Sequence, residues 1–305
     1  MGYSKWSDDA YSHLSRGYAS KSVDDIFTAK TIKSDMTPID LKIRESRDSD
    51  EHPNSIAVMV FLDVTGSMGR IPDSIAHEKL GVLMKTIIDN GVPDPQVFFG
   101  AIGDQFSDRA PLQVSQFESG TEELDKWLTS VYLERGGGGQ SMESYLLAWL
   151  VAGRHTSIDC FEKRNTKGFL FTIGDEKSWD CLDSDKLKEI MGYTQAEEVT
   201  DKQLLEEAQR LYNVYHIHIN EASYRDDPDV LGYWKKMLGE RLIILNDYNA
   251  VCETIATLIA VQHGVDMKAV TSKFSKSIAN AVNTALVAVS TGALVASSDD
   301  GVIKL

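Results

Sequence analysis

Only three cysteines occur in the 305 residues, Cys160, Cys181 and Cys252, and no two stand at CxxC spacing. Three thiols cannot all pair with one another, so a disulfide framework is not expected. Free, buried thiols in a reducing, cytoplasmic compartment are. Basic charge is scarce as well: 31 Lys and Arg face 46 Asp and Glu, a formal net charge of −15. That balance argues against direct binding to nucleic acid, which usually needs a basic patch. It suits cations or basic protein surfaces, and confers solubility. The opening MGYSKWSDDAYSHL lacks the apolar core of a secretory signal, so no leader is expected there. A strongly apolar run of membrane-spanning length is missing too. Residues 277–298 carry no charge, yet they are mostly Ala, Ser, Thr and Asn. Ile278, Val282, Ala285 and Val289 recur there near helical spacing, the pattern of a helix docked on a protein surface or joining subunits.

What is present is ordinary for a globular protein: 42% hydrophobic and 25% charged residues. Residues 1–50 read as a polar, partly helical arm with one strand at 38–45, where Ile39, Leu41 and Ile43 alternate with polar neighbours. Residues 51–264 alternate short apolar runs with helical segments, and 265–305 form an Ala-rich helical extension. In the central region, strands are expected at 56–62, 97–102, 112–117, 168–173, 214–219 and 241–245. The 112–117 segment alternates and reads as an antiparallel edge. Helices are expected at 74–89, 121–132, 141–153, 184–191, 200–212, around Trp234, and at 248–263. This alternation predicts an α/β fold, a doubly wound and mostly parallel sheet with helices on both faces.

The strands end in acid. Asp63, Asp104, Asp175 and the pair Asn246-Asp247 each follow an apolar run. The crevice beyond the carboxyl ends of an open parallel sheet is where ligands bind. Carboxylates gathered there repel unless a cation or hydrogen-bond donors compensate. The sharpest motif is DVTGSM at 63–68, where Asp63, Thr65 and Ser67 alternate and can turn towards one point. One carboxylate and two hydroxyls are hard oxygen ligands, suited to Mg²⁺ or Mn²⁺ and less to Ca²⁺. The blander reading is a helix N-cap. His216 and His218 share a strand face, but no third ligand has zinc spacing with them. Four glycines at 136–139 lack the Gly-Lys-Ser/Thr of a phosphate loop and lie among acidic residues.

FLDVTGSMG resembles the metal-ion-dependent adhesion site of von Willebrand A-type domains, and FTIGDE resembles that family's later Gly-Asp motif. The resemblance covers about residues 54–263, is closest to intracellular, MoxR-associated members, and implies a Rossmann-like sheet with a metal at its upper edge. It places Asp63, Thr65, Ser67 and Asp175 at the ion. It also implies a hydroxyl ligand from a loop before the middle helix, where a Thr is usual. This chain instead offers Gln140 or Ser141 in GGGGQSMESYLL, with Glu143 one turn on. Ser141 could supply the hydroxyl or merely cap the helix; Gln140 could supply a carbonyl oxygen. The implied function is a non-enzymatic, Mg²⁺-dependent protein-interaction adaptor. A partner's acidic side chain would complete the metal shell, and a MoxR-type AAA+ ATPase is a candidate associate. The alternatives are a Mg²⁺-dependent hydrolase using the same carboxylates, for which no general base is evident, and a structural subunit assembling through the C-terminal helix.

Overall fold

The computed structural model describes residues 4–18, 21–68, 80–92, 94–134 and 142–296. At its centre is a sheet of β1 (Ile56–Asp63), β2 (Pro95–Ile102), β3 (Leu112–Val114), β4 (Gly168–Gly174), β5 (Tyr212–Ile219) and β6 (Leu242–Leu245). The strand order is β6-β5-β4-β1-β2-β3, and only the β2–β3 pairing is antiparallel. The longer helices are α1 (Asp8–Tyr18), α2 (Leu80–Asp89), α3 (Thr121–Thr129), α4 (Leu146–Arg154), α5 (Ser184–Met191), α6 (Asp201–Leu211), α7 (Pro228–Leu238), α8 (Val251–Gln262) and α9 (Lys276–Ala296). The chain is thus α/β with a mostly parallel central sheet.

β1 lies between β2 and β4, and every residue of it except Leu62 is buried. Coverage on both faces is why it reads as an unbroken apolar run. On one face, Val60, Leu62, Phe99 and Ile173 border an apolar cavity with Leu83 of α2, Leu128 of α3 and Ile255 of α8. On the other, register sets Phe61 beside Thr172 and Thr172 beside His216. The His216 ring stacks on Trp234 of α7 at 3.5 Å, and Trp234 meets Tyr145 and Trp149 edge-on. Each large apolar side chain buried this way contributes about 1.5–3 kcal/mol. Local signals fix the helix starts. Asp183 caps α5, Thr200 and Gln203 form a capping box on α6, and Asp227 precedes Pro228 on α7.

Of the strand expected at 38–45, only Arg44 and Glu45 are formed. Asp40 turns the chain in the left-handed region (φ 55°), and Ile39 and Ile43 are 53% and 50% exposed. Extended pairing begins only at Arg44, where Arg44–Ser46 runs parallel to Thr156–Ile158. The alternation of 38–45 was a coincidence of composition, since Leu41 alone of its three apolar residues is buried. α1 is tied to the body: Ser7 N–H donates to Thr121 Oγ1, Tyr18 donates to Asp125, and Lys85 pairs with Asp8. At the other end, α9 buries Val282, Ala285, Leu286 and Val289 and packs against α8 and β6. No described helix is long and apolar enough to cross a membrane. Cys160 and Cys252 are buried and Cys181 is half-buried.

Candidate metal centre

Register brings the two acidic motifs together. Leu62 lies opposite Ile173 in parallel pairing, so one step on, Asp63 and Gly174 leave the sheet side by side and Asp175 follows. Beyond Asp63 the chain turns through Thr65 into the 3₁₀ segment Gly66–Met68. Asp63 Oδ1 accepts from the Thr65 N–H at 2.9 Å and from Thr65 Oγ1 at 2.6 Å. Ser67 Oγ donates to Asp175 Oδ1 at 2.8 Å. Asp175 Oδ2 in turn accepts from the Tyr224 N–H at 3.2 Å, and Ser223 Oγ donates to the Ser67 carbonyl. A hydroxyl has one hydrogen, and those of Thr65 and Ser67 are both committed to carboxylates. Their oxygens stand 3.3 Å apart and face each other with lone pairs. Two hydroxyl oxygens and two carboxylates therefore converge with their acceptor sides together.

A tyrosine completes the cluster. Tyr145, just before α4, donates its hydroxyl hydrogen to Asp63 Oδ2 at 2.8 Å. Gly174 makes this reach feasible, because a Cβ there would collide with the Tyr145 hydroxyl. Nothing in the sequence singled out Tyr145, which opens the apolar run YLLAWL and reads as core.

Around this chain of bonds lies more negative charge than the described structure compensates. Burial, and then the charge of Asp175, raises the pKa of Asp63. Burial also raises Asp175, against the opposing hydrogen bonds from Ser67 and Tyr224. Glu143 and Glu176 are only 3% and 4% exposed. Burial first, and the charge of Asp63 next, raises both. Oε2 of each has no hydrogen-bond partner. Among the described residues, no Lys or Arg forms an ion pair with Asp63, Glu143, Asp175 or Glu176. Buried carboxylates without a counter-ion are costly, and a divalent cation is one way to supply it.

The other strand-end acids serve elsewhere. Asp104 is buried. It accepts from Trp179 Nε1 at 2.7 Å and from the Ser107 N–H and hydroxyl, closing its own turn. Asp108 bonds the Asp104 N–H, and burial pushes its carboxyl up to about 6. Asp247 caps the turn Tyr248–Ala250, while Asn246 accepts from Asn220. His216 bonds Thr172 at 2.9 Å beneath Trp234, and burial holds its pKa well below the ordinary range. Gln140 and Ser141, together with the four glycines at 136–139, lie outside the described residues.

Among the described residues, no group of three or more His, Cys, Asp and Glu side chains is disposed to hold a metal ion. The Asp63, Thr65, Ser67, Asp175 set contains two carboxylates and takes its other donors from hydroxyls. As an all-oxygen set with a deficit of positive charge, it fits a hard divalent cation and not zinc or copper.

No protein-family profile matches the chain, and no curated protein matches it. Solved structures similar to it include the pilus adhesin SpaC from Lactobacillus rhamnosus GG in its open conformation. That match has 10% identity and a TM-score of 0.47, covering 71% of this chain and 31% of the adhesin. A second structure of SpaC matches at 8% identity and TM-score 0.45, over 70% and 31% of the respective chains. Proximal thread matrix protein 1 from the mussel byssus matches at 10% identity and TM-score 0.42, over 72% and 49%. The chain thus spans less than a third of the adhesin's length and about half that of the mussel protein.

Proposed function

We propose that this chain is a von Willebrand A-type module that binds a divalent cation, Mg²⁺ or Mn²⁺ ahead of Ca²⁺, and through it another protein. The observation that carries this reading is the pair of hydrogen-bonded arms Tyr145–Asp63–Thr65 and Ser67–Asp175, whose two hydroxyl oxygens meet 3.3 Å apart. Strand order supports it. In this reading the order β6-β5-β4-β1-β2-β3 is that of a doubly wound sheet, in which ligands bind beyond the carboxyl ends where the order reverses. β1 and β4 are the strands flanking that reversal, and they carry Asp63 and Asp175.

In this reading Asp63, Thr65, Ser67 and Asp175 hold the ion directly or through water, and Gln140 or Ser141 adds an oxygen from the glycine-rich loop. Tyr145 fixes the Asp63 carboxylate, and Ser223 and Tyr224 fix the Ser67 and Asp175 side of the cluster. The bound ion supplies a positive centre that an acidic side chain of the partner completes. The role is a cytoplasmic, non-enzymatic adaptor, and a MoxR-type AAA+ ATPase is the associate to look for first.

The test is affinity capture with Mg²⁺ or with EDTA, comparing wild type and Asp63→Asn, which keeps the side chain's size. A partner retained only by wild type in Mg²⁺ is the expected result. Equal capture in all conditions would sink the reading.

A further inference from the structure

Two buried acids beside the centre are not explained by the motif. Glu143 sits two residues before Tyr145, in the short pairing Met142–Glu143 with Lys177–Ser178. Its backbone is pinned where the Glu143 carbonyl accepts from the Trp179 N–H and the Ser144 N–H reaches the Gly103 carbonyl. Glu176 follows Asp175 directly, and its carbonyl accepts from Trp234 Nε1 at 2.9 Å. Both backbones are therefore held, so neither carboxylate can leave the interior by a small shift of the chain. Their Oε2 atoms have no hydrogen-bond partner among the described residues, and the Glu176 carboxyl is otherwise bonded by the Glu143 and Tyr224 side chains.

Direct coordination is not the answer, since no three acidic side chains among the described residues converge closely enough. Water on a cation is a better match. Mg²⁺ dehydrates reluctantly and keeps several waters, whose polarised O–H groups are strong donors. We propose that Glu143 and Glu176 anchor the hydration shell of the ion, accepting hydrogen bonds from cation-bound water through Oε2. This rests on the reading of Asp63, Thr65, Ser67 and Asp175 as the ion's site, and it adds two specific residues that set its affinity. The pair makes the centre selective for a hydrated ion. It also explains why carboxylates with no lysine or arginine beside them are kept in the interior.

The experiment is calorimetric titration of chelator-stripped full-length protein with Mg²⁺, for wild type, Glu143→Gln, Glu176→Gln and Asp63→Asn. Thermal unfolding of each in EDTA accompanies it. Outer hydrogen-bond partners of a metal site typically contribute 10–100-fold in affinity, so each glutamine variant is expected to bind Mg²⁺ about 10–100-fold more weakly. In EDTA each is expected to melt at the wild-type temperature or above it, because an amide of the same size replaces a buried carboxyl that has no counter-ion among the described residues. Mg²⁺ affinity within about twofold of wild type in both glutamine variants, with Asp63→Asn impaired, overturns this inference and leaves the site intact. Failure of the glutamine variants to fold in EDTA also overturns it, since that would give the carboxylates a structural role without metal. Absence of Mg²⁺ binding by wild type overturns both readings together.

Discussion

Tyr145 crosses the space left by Gly174 and donates its hydroxyl hydrogen to Oδ2 of Asp63 at 2.8 Å, and neither side chain is exposed. The bond joins the segment before α4 to the end of β1. Tyr145→Phe removes the donor and leaves a buried carboxylate oxygen without it. The expected loss is about 1–3 kcal/mol in urea unfolding without cation. A variant as stable as wild type would show that water or another donor already serves Asp63.

Gly174 carries the same relationship from the other side. Gly174→Ala forces Tyr145 away from Asp63, and an overfilled core typically costs about 1–3 kcal/mol. Gly17, near the end of α1, has open space where a Cβ would go, so Gly17→Ala should instead stabilise by about 0.4–1 kcal/mol. Paired melting curves check both, and a Gly174→Ala protein with wild-type stability and Mg²⁺ affinity would contradict the packing described.

Much of this arrangement was legible in the sequence. β1, β2 and β4 announce themselves because both faces are covered, so apolar residues run almost without a break, whereas β5 carries His216 and His218 within its run. The acids at their ends follow from where those runs stop. Pairing of Asp63 with Asp175 was legible only through resemblance, because the register that aligns Leu62 with Ile173 is a long-range choice. Tyr145 and the buried state of Glu143 and Glu176 were not legible at all. A tyrosine in an apolar run is indistinguishable from core, and a glutamate carries no mark of burial. The strand expected at 38–45 forms only at Arg44 and Glu45, because the three alternating apolar residues before them have no partner strand beside them.

Acid stability should depend on a second set of charges, remote from the centre. Asp48 accepts from Arg164, from the Ser55 hydroxyl and from the Ser55 N–H. Asp159 accepts from Arg47, from the Asp48 N–H and, as an ion pair, from Lys163. Burial pushes both carboxyls up, but these bonds outweigh it, and both pKa values fall below the ordinary 3.8. A depressed folded value means the stabilisation is present above the unfolded pKa and is lost as pH falls through the folded one. The contribution of these two aspartates should therefore be lost on acidification from about pH 5 to pH 3, and Asp48→Asn with Asp159→Asn should show less acid destabilisation than wild type over that interval. Urea midpoints at stepped pH give the slopes; equal slopes would remove these two aspartates from the account.

The claim on which the rest depends is that an ion sits between β1 and β4. Crystals grown with Mn²⁺ and measured for its anomalous scattering locate it without assumptions about affinity or partner. A single peak within about 2.6 Å of oxygens from the Asp63, Thr65, Ser67 and Asp175 group is the predicted result. A map with no peak there at millimolar Mn²⁺, or with the ion bound only at surface carboxylates, would contradict it.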